Sequence, residues 1–249
     1  MAWMSKSDSP LANLRGAVYR TDGPAVVAAL SAQDWRDVLQ LAGDGLLAAL
    51  AQDVQGAVEL AGRCAAELRE RAWEGDEELA DQLEAALEVR PAPGLRPLPV
   101  DLEQLSSILE GDPTQEGGYI DVETGEVWPH AAIEYAQETG GEGPDEDDLY
   151  SDRWLAVSNE GSRGGYRDLE AFVGTVTDPD RADRLSIAIS GRGAFRRFKD
   201  VLARWPDELE RWYRLSNERE RGRARAWLAA EGFAAGPAGA VDTDTDDSD

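Results

Sequence analysis

Four prolines within ten residues divide this chain. They lie in RPAPGLRPLP, residues 90–99, and none of them can continue a helix, because proline lacks the backbone N–H and clashes with the preceding turn. Each also biases the residue before it toward extended backbone. We therefore predict a linker at residues 90–100 between two domains, at residues 1–89 and 101–233. A chain of 249 residues is long enough for two modest cores.

The segment before the prolines has the spacing of helices. Its apolar residues recur every three or four positions, and Asp22 followed by Pro24 is typical of a helix start. Gly43 and Gly45 are expected to interrupt the helical pattern. Short helices with brief glycine breaks predict a compact helical bundle.

The second part combines a short sheet with helices. In GGYIDVETGEVWP, residues 117–129, two apolar runs flank ETG, which predicts a β-hairpin with Gly125 at positive φ. RWLAV, residues 153–157, is a candidate third strand. Residues 178–233 are predicted to be helical, with Pro206 in the first turn of the last helix. The predicted fold class is α+β: an N-terminal helical bundle, then a small, mostly antiparallel sheet with C-terminal helices.

The formal net charge of -25 constrains the partners of this protein. It disfavours a chain that coats nucleic acid, since phosphate repels the average surface, and it suits a basic protein partner. The acidic, glycine-rich run at residues 137–152 is predicted to be a loop, and residues 234–249 a disordered acidic tail.

No apolar run approaches the roughly 20 residues of a membrane helix, and the first ten residues lack the pattern of a signal peptide. We therefore expect a cytoplasmic protein without a membrane partner.

The scarcity of cysteine and histidine excludes several kinds of site. Cys64 is the one cysteine, so no intrachain disulfide can form. Cys64 and His130 together are too few for a structural zinc site, which takes four such ligands. His130 lies in VWPHAAIEY, far from any nucleophile motif, and is interpreted as a turn or surface histidine rather than a catalytic one. We assign no catalytic residue, no metal ligand and no cofactor.

Three strings in order carry a resemblance to a known family. They are YIDVETGEVW, GYRDLEAFV and GRGAFRRFKDVLARWPDELERWYRLSNERERGRARAWL. Together they resemble the bacterial uncharacterised protein family 0158, over roughly Leu102 to Leu228. The resemblance implies a soluble bacterial α+β domain. Because the family has no assigned activity, it transfers no catalytic residue to this chain.

The stretch GRGAFRRFKD, residues 191–200, has two interpretations. Its phenylalanines continue into Val201 and Leu202 at helical spacing, which predicts an amphipathic helix on a core, the interpretation that we favour. The alternative is an anion site at a glycine-rich helix start. Its four basic residues are Arg192, Arg196, Arg197 and Lys199.

Three functions stay open at this point. We favour a non-enzymatic, acidic interaction or regulatory protein of unknown specific role, whose partner is another protein, in the simplest case a basic one. The first alternative is a nucleic-acid or nucleotide-binding module that uses the arginine-rich C-terminal helices, or another phosphate ligand there. Stacking or partner contacts would then come from Trp205, Trp212 and Tyr213. The second alternative is a metal-dependent enzyme with a site of carboxylates and arginines.

Overall fold

The structure, a computed structural model, describes residues 10–111, 116–141, 143–145 and 147–236. The N-terminal part of this description consists of five helices, joined by short turns and a 3₁₀ turn at Arg36–Val38. These helices are α1 (Pro10–Tyr19), α2 (Gly23–Ala32), α3 (Leu39–Ala51), α4 (Ala57–Arg71) and α5 (Asp76–Ala86). They pack around a shared apolar core that includes Leu14, Leu46 and Leu68, which is the predicted helical bundle.

The glycines of α3 do not interrupt it, so that detail of the prediction was wrong. Gly43 and Gly45 lie in the middle of α3 and are both buried. A Cβ on Gly43 would lie 2.5 Å from Cδ2 of Leu79, and a Cβ on Gly45 would lie 2.8 Å from Cγ1 of Val26. The two glycines therefore let α5 and α2 pack close to α3, and this close packing offsets their low helix propensity.

The rest of the described chain alternates strands and helices, with a second 3₁₀ turn at Asp148–Tyr150. The elements in order are β1 (Arg96–Leu98), α6 (Leu102–Leu109), β2 (Gly118–Asp121), β3 (Val127–Pro129), α7 (His130–Thr139), β4 (Trp154–Val157), α8 (Arg163–Gly174), α9 (Pro179–Ile189), α10 (Ala194–Leu202), α11 (Pro206–Ala230) and β5 (Phe233–Ala235). This order confirms the predicted α+β class. Helix α7 was not predicted. Among the described residues, no helix has the length and apolar composition needed to cross a membrane.

The predicted hairpin and third strand form one antiparallel sheet in the order β3-β2-β4. Ile120 lies opposite Val127 on one side and Leu155 on the other. The hairpin turn places Gly125 at φ 78°, the positive value that its sequence predicted. Ile120 is fully buried, so one face of the sheet covers a core, while Tyr119 and the neighbouring aromatic residues of the other face are half-buried.

A second, two-stranded sheet joins the proline-rich segment to the end of the described chain. Strands β1 and β5 pair in parallel, with Arg96 opposite Phe233 and Leu98 opposite Ala235. Leu98 and Ala235 are 1% and 5% exposed, so both belong to the core. The predicted tail therefore began too early, since it included two residues of β5. Residues 237–249 of that tail lie outside the described part of the chain.

Helix α11 connects the two parts of the molecule. It contacts α3 and α5 on one side and α6, α8, α10 and β5 on the other. It approaches the turn before α5 closely at Gly222, where a Cβ would overlap the carbonyl oxygen of Glu74. Gly75 faces Gly222 in the same way. This pair of glycines brings the N-terminal helices into direct contact with α11.

Candidate functional site

The anion site that the sequence offered as an alternative consists of four basic residues in and just before α10. The helix begins at Ala194, so Arg192 precedes it and does not lie one helical turn below Arg196. The Arg196 side chain is 91% exposed and lies 4.0 Å from the carboxylate of Asp200. Lys199 is exposed as well. These cations lie on the solvent side of α10, where the amphipathic pattern placed them.

Arg197, the fourth predicted residue, has a different role. Its Nε donates to the carbonyl oxygen of Ala188 at 3.1 Å, and its Nη2 donates to that of Ser190 at 2.7 Å. Nη1 donates to the carbonyl oxygen of Arg192. These carbonyls belong to the end of α9 and the loop after it. The guanidinium thus caps a helix C-terminus, a place that favours a cation.

The aromatic residues of this region form a core. The Phe198 ring is fully buried and meets Phe172 and Trp212 edge to face, with centroids 5.9 and 4.9 Å away. This arrangement confirms an amphipathic helix in this stretch, although the helix spans Ala194–Leu202 and not the whole of residues 191–200. Of the residues predicted to stack or contact a partner, Trp212 is buried, Trp205 is half-buried, and Tyr213 is 49% exposed.

The arginines of α11 face inward instead of forming a free basic surface. Arg225 is 2% exposed. It donates to Oε1 of Gln40 at 2.9 Å and Oε1 of Gln82 at 2.8 Å, and it pairs with Asp44. One turn earlier, Arg221 pairs with the same Asp44 at 2.8 Å and with Glu103 at 2.7 Å.

A buried carboxylate completes this network. Glu218 of α11 accepts hydrogen bonds from the backbone N–H groups of Gln40 at 2.7 Å and Leu41 at 3.2 Å. It also accepts one from Nη1 of Arg71 at 3.0 Å, and Arg71 pairs in turn with buried Asp76. Burial raises the pKa of Glu218. The network fixes α3, α4 and α5 against one side of α11.

A second cluster lies where the two C-terminal family-like strings meet. Arg223 of α11 donates to Oδ2 of Asp168 at 2.8 Å and pairs with Glu110. Arg219 lies 3.5 Å from the other oxygen of Asp168. Burial raises the pKa of both Asp168 and Glu110, and Arg223 opposes that rise. Asp168 is only 2% exposed, because its carboxylate faces α11.

Sequence reasoning missed these internal ion pairs, although one signal was present. Arg219, Arg221, Arg223 and Arg225 alternate along a helix, so their side chains spread around about half of its circumference. A helix that also carries Trp212 on a core cannot direct all of them to water. Some had to meet acidic groups from other elements, but the sequence did not say which ones.

An acidic face remains on the outside of the molecule. We use this name for the exposed acidic residues of α7 and of the segment before β4, together with Tyr135 and Tyr150. The acids are Glu134, Glu138, Asp145, Asp147, Asp148 and Asp152. The two segments pack together, since a Cβ on Gly143 would lie 3.0 Å from Cβ of Ala136. Within the described ranges none of these acids forms an ion pair with an arginine or a lysine; Glu134 lies 3.6 Å from His130.

Cys64 and His130 lie in different environments. Cys64 is fully buried, and burial raises the pKa of its thiol. Nε2 of His130 contacts the carboxylates of Glu116 and Glu134 at the start of α7. The part of the chain that the structure describes contains no group of three or more His, Cys, Asp or Glu side chains arranged to hold a metal ion.

Comparison with known proteins supports the family resemblance. Residues 142–244 match the model of an uncharacterised protein family, UPF0158. The UPF0158 protein PA5073 of Pseudomonas aeruginosa is 27% identical over 139 residues, which cover 54% of this chain and 84% of that relative. No solved structure gives a significant match. The matched range begins after the hairpin and includes α8 to α11.

Proposed function

We propose that this chain, whose residues 142–244 match the model of the uncharacterised family UPF0158, is a non-enzymatic interaction protein. In this proposal the acidic face binds a basic segment of another protein. The internal ion pairs of α11 have a structural role, since they fix the N-terminal helices against α11. We also propose that the protein acts in the bacterial cytoplasm, consistent with the origin of the relative and the composition of the chain.

The observation that carries the proposal is the combination of exposed tyrosines with acids that form no ion pair with an arginine or a lysine among the described residues. Tyr135 is 69% exposed and Tyr150 is 85% exposed. Tyrosine is enriched in protein interfaces because its ring supplies a large contact area and its hydroxyl supplies a hydrogen bond. The acids of the same two segments would attract a basic partner over several ångströms and orient it before contact.

The distribution of positive charge supports a protein partner over a nucleic acid. The four alternating arginines of α11 are engaged with acids of this same chain, most closely Arg225 and Arg223. A phosphate backbone would have to break those pairs, which cost several kcal/mol to separate when buried. The exposed cations of α10 remain one place where a nucleic acid could contact this protein, and a binding experiment can include that outcome.

A direct test measures binding of a fluorescein-labelled, arginine-rich peptide by fluorescence anisotropy. We expect binding that weakens steeply as salt rises. The triple variant Glu134→Gln, Glu138→Gln, Tyr135→Ala should bind about tenfold more weakly, a loss of roughly 1.4 kcal/mol. Labelled single-stranded DNA and RNA of similar length should bind far less than the peptide.

The matched control changes the same charge elsewhere. Glu59 and Glu70 are exposed residues of α4, outside the acidic face. The variant Glu59→Gln, Glu70→Gln loses the same two charges and should stay within about twofold of the wild type. Equal losses in both variants would show a response to net charge alone and would contradict the proposal. Tighter binding of the oligonucleotides than of the peptide would favour the nucleic-acid alternative.

A further inference from the structure

A cavity lies between α1, α3, the segment from Pro99 to Glu103 and the end of β5. Its volume is about 390 Å³, within the range of pockets that hold small molecules. The apolar part of its wall includes Leu41, Leu47, Val100 and Leu102. Such junctions between two packed parts of a chain are common places for ligand sites.

The polar wall of the cavity is held in place by contacts within the protein. Arg221 is shared between Asp44 at 2.8 Å and Glu103 at 2.7 Å. Asp101 caps α6, where its carboxylate accepts from the backbone N–H of Glu103 at 2.8 Å and of Gln104 at 3.3 Å. These acids are thus already satisfied to a large extent. The wall is preorganised, which lowers the entropy cost of binding.

Arg15 is the remaining cation of the wall. Arg15, Val18 and Tyr19 line the cavity from one face of α1, while Leu14 on the adjacent face is fully buried in the helical core. Arg15 is exposed, and it has no ion-pair partner among the residues that the structure describes. Its guanidinium is therefore available to an anionic group at the mouth of a cavity whose acids, Asp44, Asp101 and Glu103, already accept hydrogen bonds.

We infer that this cavity binds a small amphipathic carboxylate. The apolar body of the ligand packs against Leu41, Leu47 and Leu102, and its carboxylate pairs with Arg15. An ammonium headgroup of the same size would meet the positive charge of Arg15, and the acids nearby already accept hydrogen bonds from Arg221 or from backbone. This inference is independent of the acidic face and of the basic partner proposed for it.

Isothermal titration calorimetry with the full 249-residue chain compares three probes that share the same alkyl group: octanoate, octylamine and octanol. Octanoate should bind most tightly. Arg15→Gln should weaken octanoate roughly two- to fivefold and leave octanol unchanged. Arg20→Gln is the matched control, because Arg20 is an exposed arginine of the same region that does not line the cavity; it should leave octanoate binding unchanged.

A second variant tests where the apolar body of the ligand binds. Leu47 lines the cavity and is half-buried, so Leu47→Trp should fill the space and abolish binding of both octanoate and octanol while far-UV circular dichroism stays native. Should Leu47→Trp fail to fold, Val18→Phe serves the same purpose. Absence of octanoate binding, tighter binding of octylamine, or equal losses in Arg15→Gln and Arg20→Gln would overturn the inference. So would binding only to a chain truncated after Gly236, since the removed segment would then be the occupant.

Discussion

Glu218 and Arg71 form an ion pair that joins α11 to α4, with 3.0 Å between Oε2 and Nη1. The Glu218 side chain is 2% exposed and that of Arg71 is 12% exposed. The same carboxylate receives two backbone N–H groups from the start of α3. One acidic residue of a helix rich in arginine thus satisfies donors from two other helices.

The first prediction concerns this carboxylate. Glu218→Ala should lower the free energy of unfolding by about 3–5 kcal/mol, because it leaves two buried backbone donors unpaired and removes one of the two carboxylates that pair with the Arg71 guanidinium. Glu210→Ala, on the same helix, should cost under about 1 kcal/mol, because its ion pair with Arg214 is long and exposed. Urea unfolding followed by circular dichroism measures both. Similar costs would mean that the Glu218 network does not form.

The second prediction reverses the usual effect of replacing a helical glycine. Gly222→Ala should destabilise the protein by about 1–3 kcal/mol, because the new Cβ would overlap the carbonyl oxygen of Glu74. Gly62 lies inside α4, and a Cβ added there would meet no neighbouring segment within 4 Å. Gly62→Ala should therefore stabilise by up to about 1 kcal/mol. Thermal melts that show the same sign for both changes would contradict the close approach of α11.

The third prediction is that the side chains of α10 differ in their contributions to stability. Phe198→Ala should cost about 3–5 kcal/mol, since it leaves a cavity between Phe172 and Trp212. Arg196→Gln should cost under about 0.5 kcal/mol, because the side chain is exposed. The sequence alone predicts that both arginine changes are cheap; the capping contacts of Arg197 raise the expected cost of Arg197→Gln to about 1–2 kcal/mol. Chemical denaturation ranks the three variants, and equal costs for the two arginines would exclude the capping role.

The fourth prediction places the end of the folded chain. The sequence alone predicts that deleting every residue after Phe233 leaves folding intact. The structure changes that expectation, because this deletion removes two residues of β5 and the hydrogen bond from Gln82 to the carbonyl oxygen of Ala235. We therefore expect it to lower the melting temperature, by several degrees. Deletion after Gly236 should leave that temperature unchanged, and a large drop in this second chain would contradict the prediction.

Features set by local sequence were predictable. The hairpin followed from a turn that needs a positive φ at Gly125, and the amphipathic α10 followed from the spacing of its phenylalanines. Helix α7 was missed because Pro129 and the short strand β3 suggested that the element ends there, although proline is also common at the start of helices.

Features set by distant pairs were not predictable. Glu218 meets the backbone of Gln40 across 178 positions, and β1 pairs with β5 from the two ends of the second part. No local pattern marks such partners. The buried state of Asp168 had the same cause, since its carboxylate is held by Arg223 from a helix 55 positions later.

The proposed function depends on the acidic face as the surface that receives a partner. A photo-crosslinking amino acid placed at Tyr135 tests this directly, with the same residue at Tyr213 as the control, since Tyr213 is exposed on α11 where the sequence had suggested a partner contact. In extracts of the source cells, we predict that the crosslinker at Tyr135 captures one protein with a basic segment. Added arginine-rich peptide or high salt should remove this product. The crosslinker at Tyr213 should not capture that protein. A nucleic-acid product at Tyr213, or no protein product at Tyr135, would contradict the account.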